Sequence, residues 1–316
     1  MDKTNVRTGD VAVWLLLLTA PYWLPLAGGY VELGSRVVIL ALAAMALNFL
    51  LGYTGVLSFG HAAYFGLGAY GTAMTMKYWV ESTPVALAVG VAVGTVAAAI
   101  IGPMIARLRG VYFAMCTIAF GQVFFFIAFQ WRDMTGGDDG LSAWHRLPLD
   151  FGFVTVDILN NNKAFYYMVL AVFAGAVGIM AFLLRSPFGR TLLAIRENER
   201  RARFLGIPVD RHIWLSWVIS CCFVSLAGAL YALLNDFVDP RALRWDQSGN
   251  FVIMAVLGGM RSFWGPLIGA AIFIVMADFI SSHTENWMSF VGLIFVLVVL
   301  YFPRGVLGII RSKVTT

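Results

Sequence analysis

The chain has 316 residues, of which 60% are hydrophobic and 12% charged, and carries a formal net charge of +5. A soluble domain carries roughly twice that charged fraction, so there is too little polar surface to cover a water-soluble globule. A disordered, collagenous or disulfide-rich chain is excluded as well. In a membrane protein a basic excess reports orientation and not affinity for nucleic acid.

Apolar runs follow one another along the chain at 11–27, 34–51, 56–76, 84–106, 111–131, 163–184, 211–234, 249–260, 263–283 and 287–303. They are apolar on every side and lack the alternation of barrel strands. The expected fold is all-α, a polytopic helical membrane protein of about ten transmembrane segments. The first run follows Lys3 and Arg7, as a signal peptide would. Ala20-Pro21-Tyr22-Trp23 is a poor cleavage site, so a retained helix is expected. The run 56–76 is rich in glycine and holds His61, and 249–260 is too short for a full span. Both are candidates for broken or re-entrant segments, tolerated only where protein or a water-filled cavity covers the backbone. Cys116, Cys221 and Cys222 lie inside apolar runs and read as packing residues.

Charge sets the expected orientation. With the N-terminus inside and the runs alternating, 15 of the 22 basic residues fall in inner segments. The outer segments then hold 12 of the 17 acids. The positive-inside rule therefore puts both termini in the cytoplasm, and the basic loops share one side only if 56–76 and 249–260 both cross.

Two loops are long. The outer loop 132–162 carries Thr135-Gly136-Gly137-Asp138-Asp139-Gly140-Leu141. Asp138 and Asp139 belong to an excess of outer aspartates suited to charge-steered docking, with ordinary loop composition as the alternative. The inner loop 185–210 starts with Ser186-Pro187, a helix-opening pair. No proline or glycine falls between Arg190 and Leu205, and Gly206 and Pro208 end the run. One short charged helix is expected, with Leu192, Leu193, Ile195, Phe204 and Leu205 forming a partial apolar face. A solvated loop, a helix lying on anionic lipid and a docking helix for a cytoplasmic partner all fit this pattern.

Within the spans, Asn48, Ser58, His61 and Gln122 are candidates to line a passage, with hydrogen bonding between helices as the competing role. Gly52, Gly258 and Gly259 lie in glycine clusters that suit either close packing or unwound backbone at a gate. Ser58-Phe59 faintly echoes Ser262-Phe263, each followed by glycines and an alanine. No phosphate loop, HExxH or CxxC occurs, Gly-x-Ser-x-Gly fails at Val56, and the four histidines are scattered. No catalytic or metal site is therefore expected. A stand-alone secondary transporter or channel would carry mid-membrane ionisable residues, and an intramembrane enzyme a catalytic constellation; neither is found.

The segment Gly189-Arg190-Thr191-Leu192-Leu193-Ala194-Ile195-Arg196-Glu197-Asn198-Glu199, with Ala202 and Leu205-Gly206-Ile207 after it, resembles the coupling-helix signature of ABC importer permeases of the branched-chain amino-acid type, the LivM/LivH group. The stretch from Leu51 to Gly66, the outer-loop Thr135-Gly136-Gly137 with Gly140-Leu141, and Val256-Leu257-Gly258-Gly259-Met260 with Trp264-Gly265-Pro266 and Gly269-Ala270 resemble further motifs of that family, in its order. Arg261 stands where the family pattern has a small residue. The resemblance implies a single permease domain over 1–316. It implies a multi-pass location in the bacterial inner membrane beside a second, homologous permease in a heterodimer. Two cytoplasmic ATPases would hold the ATP and Mg, this chain binding no cofactor, and a periplasmic solute-binding protein would complete the set. Arg190, Ala194, Arg196, Glu197, Glu199, Ala202 and Gly206 would serve ATPase coupling. The implied cargo is leucine, isoleucine or valine, with urea, short amides, other amino acids or aromatic acids as cargoes of relatives.

Overall fold

The computed structural model describes residues 3–26, 28–80, 82–142, 149–150, 155–156, 161–260, 262–284, 286–301 and 305. The described residues are helical apart from connections and one pair of two-residue strands. In chain order the helices are α1 (Lys3–Leu26), α2 (Val31–Thr54), α3 (His61–Tyr78), α4 (Thr83–Ile105), α5 (Val111–Gln130), α6 (Arg132–Thr135), α7 (Asn162–Arg185), α8 (Pro187–Glu197), α9 (Glu199–Phe204), α10 (Val209–Asn235), α11 (Trp245–Gly258), α12 (Gly265–Ser281) and α13 (Trp287–Tyr301). Strands β1 (Leu149–Asp150) and β2 (Thr155–Val156) pair antiparallel in the outer loop.

Each expected apolar run overlies one of these helices. Five of them, α2, α4, α5, α7 and α10, are long and apolar enough to cross a membrane by themselves. The chain is a multi-pass membrane protein. Helix α11 begins at Trp245, earlier than expected, yet its 14 residues span only about 21 Å at 1.5 Å each, short of a hydrocarbon core of about 30 Å.

Helix α2 is apolar all round and sits at the centre, buried along most of its length against α7, α10, α11 and α12. A helix without a polar face is stable only in such a position. Around it, small residues let backbones touch. A Cβ on Gly68 would lie 2.1 Å from the Ser225 carbonyl oxygen, and one on Gly228 1.8 Å from that of Phe65. The α3–α10 contact therefore excludes any larger residue at these two positions. Gly90 and Gly94 of α4 meet Thr72 and Ser225 in the same layer. The three cysteines are free thiols, as their setting implies.

Contacts between loops sort the helix ends into two sets. At the basic end, Arg109 of the α4–α5 connection meets Glu199 and Asp210, Arg196 meets the Gly52 carbonyl, and Trp264 donates to Asp10 at 2.7 Å. At the opposite end, Asn162 donates to Glu32 at 3.0 Å, Tyr30 to Asp278 at 3.3 Å, and Leu141 pairs with Val238. This sorting matches the alternation read from charge.

The run 56–76 is broken. Residues 55–60 are non-helical, and α3 starts only at His61. The break is clamped from behind. Ser220 Oγ donates to the Ala46 carbonyl at 2.5 Å, so it accepts from His61 Nε2 at 2.8 Å. His61 Nδ1 then accepts from Ser58 Oγ at 2.9 Å, and Ser58 Oγ takes the Gly60 N–H at 3.2 Å. One neutral imidazole tautomer satisfies the whole chain, which joins α2, α3, α10 and the break. The ring is fully buried, edge-on to Trp217 at 5.0 Å between centroids.

Two stability tests follow from this packing. Gly228→Val should lower thermal stability in detergent by about 2 kcal/mol or more through overpacking of the α3–α10 seam; an unchanged melting temperature would contradict the close approach. His61→Ala should cost about 3 kcal/mol, because it opens a cavity and leaves the buried Ser58 O–H without its acceptor. Thermal unfolding that does not distinguish it from the parent would mean the ring clamps nothing.

Candidate functional site

The basic end carries the site. Arg185 ends α7, and Ser186-Pro187 turns the chain into α8. The expected single helix over 190–206 is two helices. Asn198 adopts an extended backbone (φ −158°, ψ 97°), and its side chain accepts the Arg201 N–H at 2.9 Å. It therefore closes α8 and caps α9. Gly206, at φ +81°, ends α9: its N–H reaches the Arg203 carbonyl and the Ile207 N–H the Ala202 carbonyl, at 3.0 and 3.1 Å. This is a Schellman ending, which needs the left-handed backbone that glycine supplies.

The break at Asn198 redistributes the faces. Gly189, Leu192 and Ile195 pack inward from α8, and Ala202 from α9. Phe204 and Leu205 do not join that apolar face; they stand 91% and 75% exposed. With Leu193, they form apolar knobs among the exposed Arg190, Ala194, Glu197, Arg200 and Arg201. Of the residues expected to serve coupling, Arg190, Ala194, Glu197 and Gly206 lie on this outward surface. Arg196, Glu199 and Ala202 turn inward.

Glu199 sits in a four-charge cluster. Arg109 Nε donates to it at 2.8 Å and the Arg109 guanidinium also bonds Asp210. Arg203 bonds Glu199 at 3.0 Å and Asp210 at 2.7 Å. The Glu199 hydrogen bond, followed by that of Asp210, raises the Arg203 pKa above its ordinary value. With roughly a third of the Arg109 and Glu199 side chains exposed, these pairs add modest stability. Their bidentate, two-partner geometry fixes α9 against the α4–α5 connection and the start of α10. The Glu199–Arg203 spacing was visible in the sequence as an i, i+4 pair. Arg109, 90 residues away in sequence, gave no such signal.

A cavity of about 660 Å³ opens beside this cluster. Thr54 to Leu57 and Phe59 form one wall, Val111, Ala114 and Ile213 another, and Arg109, Ile195, Arg196 and Glu199 its rim. The non-helical stretch thus faces a cavity on one side and the His61 clamp on the other.

The residues expected to line a passage lie elsewhere. Ser58 and His61 are buried behind the wall and border no described cavity. Asn48 is buried, its Nδ2 donating to the Ser262 carbonyl at 3.5 Å, and Gly52 packs against the Met260 carbonyl. Gly258 meets Gly265 backbone to backbone across the α11–α12 turn, where Gly259 takes φ +112°. These are close-packing positions. Gln122 is half-buried on α5 and makes no side-chain hydrogen bond among the described residues. Arg261 lies outside the described residues. At the far end, Asp138 and Asp139 are exposed on a 3-10 turn between glycines of positive φ, at Gly136, Gly137 and Gly140. The Leu141–Val238 bridge, at 2.7 and 3.0 Å, anchors that turn to the α10–α11 connection. Among the described residues no group of three or more His, Cys, Asp or Glu is placed to hold a metal.

Comparison with known proteins places this architecture. Residues 30–299 match the family described as "Branched-chain amino acid transport system / permease component". The high-affinity branched-chain amino acid transport system permease protein LivM of Salmonella typhimurium is 26% identical over 99% of this chain and 78% of its own length, and LivM of Escherichia coli K12 gives the same figures. The probable branched-chain amino acid transport permease protein LivH of Methanocaldococcus jannaschii is 23% identical over 78% of this chain and 79% of its own. No solved structure matches. The match covers most of the chain and all of α2 to α12, so this protein belongs to the branched-chain amino acid transport system permease family.

Proposed function

We propose that this chain is one permease subunit of an ATP-binding-cassette importer for leucine, isoleucine or valine in a bacterial inner membrane. Its basic end, with both termini, faces the cytoplasm. A second, homologous permease completes the passage, and the chain performs no chemistry of its own. Two ATPase subunits bind ATP and Mg, and a periplasmic solute-binding protein docks at the outer turn bearing Asp138 and Asp139.

The observation that carries this reading is the outward surface of α8 and α9. A rigid helix pair presents bare Phe204 and Leu205 within a ring of arginines and Glu197. Large apolar side chains ringed by charge mark protein contacts, and here they suit a groove on a partner. The relatives' names supply the cargo class. ATPase closure would push α8 and α9, and the Arg109 cluster and Arg196 would carry the push to α5, α10 and the end of α2.

Co-purification checks the docking surface. Phe204→Asp with Leu205→Asp should cut recovery of the ATPase subunits at least about tenfold, equivalent to 1.4 kcal/mol, while the permease stays monodisperse. Full ATPase recovery with this double variant would remove the docking assignment. In vesicles, the complete complex with its binding protein should accumulate leucine only with ATP, and the permease alone should accumulate none.

A further inference from the structure

The cavity at the basic end has more specific chemistry than a gap between helices. Residues 55–60 join α2 to α3 at the basic end without helical hydrogen bonds, so each of their backbone groups needs a partner from the chain or from water. Some are found within the protein. Gly55 N–H bonds the Leu51 carbonyl, Val56 N–H the Thr54 hydroxyl and Phe59 N–H the Thr117 hydroxyl. The N–H groups of Leu57 and Ser58, and the carbonyls of Gly55, Val56 and Leu57, have none among the described residues. Gly55, Val56 and Leu57 border the cavity.

The two rim arginines differ. Arg109 is committed to Glu199, Asp210 and the carbonyls of Ala106 and Leu108. Arg196 has five N–H donors, but its one hydrogen bond is to the Gly52 carbonyl, and it makes no ion pair among the described residues. The opposite wall is apolar, formed by Val111, Ala114 and Ile213. A guanidinium with donors to spare, backbone carbonyls without a partner among the described residues and aliphatic side chains thus line one volume of ligand-pocket size.

We propose that this chamber is the inner release site, where a small aliphatic amino acid rests before reaching the cytoplasm. The Arg196 guanidinium takes its carboxylate, the carbonyls of 55–57 its ammonium, and the Val111–Ala114–Ile213 wall its side chain. Backbone carbonyls released from a helix coordinate cations where they line a cavity. Arg196 belongs to α8, so an occupied chamber is felt by the helix that meets the ATPase. The inference rests on the importer reading, and its test separates the two.

The complex with its ATPases is placed in inside-out vesicles, with Cys116→Ala and Cys222→Ala as background; Cys221 is fully buried. Ala114→Cys and, separately, Leu57→Cys are labelled with a membrane-impermeant maleimide. Both positions should react, and leucine at ten times its Kd should slow labelling about tenfold by occupancy. Leucinamide, which lacks the carboxylate, should not protect, and Arg196→Gln should abolish protection by leucine while labelling persists. If neither position labels, or leucine leaves both rates unchanged, the chamber is not a release site. Equal protection by leucinamide, or protection that survives Arg196→Gln, overturns the role of Arg196. ATP-driven leucine uptake by the parent complex with its binding protein is measured alongside, in right-side-out vesicles that enclose ATP. Uptake without protection sinks the chamber alone, and absence of uptake sinks the importer reading.

Discussion

Backbone that leaves a helix between packed helices must find hydrogen-bond partners from the chain or from water. That constraint organises the basic half of this protein. At residues 55–60 the chain unwinds, and two environments share the task of satisfying it. On one side Ser58, His61 and Ser220 form a closed relay that ends on the Ala46 carbonyl. On the other side Gly55, Val56, Leu57 and Phe59 line a cavity that Arg109, Arg196 and Glu199 also line. The histidine is thus the rigid back of the break, and the cavity is its open front. The polar residue in the span here clamps the backbone behind the cavity and does not line it.

The α8–α9 pair is joined to the longer helices by geometry more than by energy. Partly exposed ion pairs are individually weak, yet Arg109 holds two acids from two elements at once. The apolar inner face of Gly189, Leu192 and Ile195 supplies the adhesion, and the charges supply the register. Asn198 divides the pair: α8 contacts α2, α7 and the break, α9 meets the α4–α5 connection through Glu199, and both touch α10. A displacement of the pair under the proposed function therefore reaches the chamber from two directions.

The all-α, multi-pass class was legible because long apolar runs are strong, local signals. Glycine clustering in 56–76 also pointed correctly to a broken segment. What remained hidden was non-local. Asn198 sits in a run without proline or glycine, and only its extended backbone reveals a cap that turns one helix into two. Phe204 and Leu205 read as core on a continuous helix and emerge as surface once it bends. Asn48, Gly52, Gly258 and Gly259 read equally well as packing or as lining. The choice depended on which backbone lay opposite, and only coordinates supply that.

The echo between Ser58-Phe59 and Ser262-Phe263 shows how similar breaks acquire different uses. Each dipeptide lies just before a helix that runs from the basic end, α3 in one case and α12 in the other. At the second break α11 and α12 close on each other, a Cβ on Gly258 lying 1.7 Å from the Gly265 carbonyl oxygen. Nothing larger than glycine fits there, and no described cavity borders that turn. At the first break the neighbouring α5 presents Val111 and Ala114 across open space, and the chain returning through α8 adds Arg196. Direct glycine contact seals one break, whereas separation between elements opens the other. The difference lies in what each break faces, so a motif match by itself identifies where the backbone unwinds and not where a solute passes.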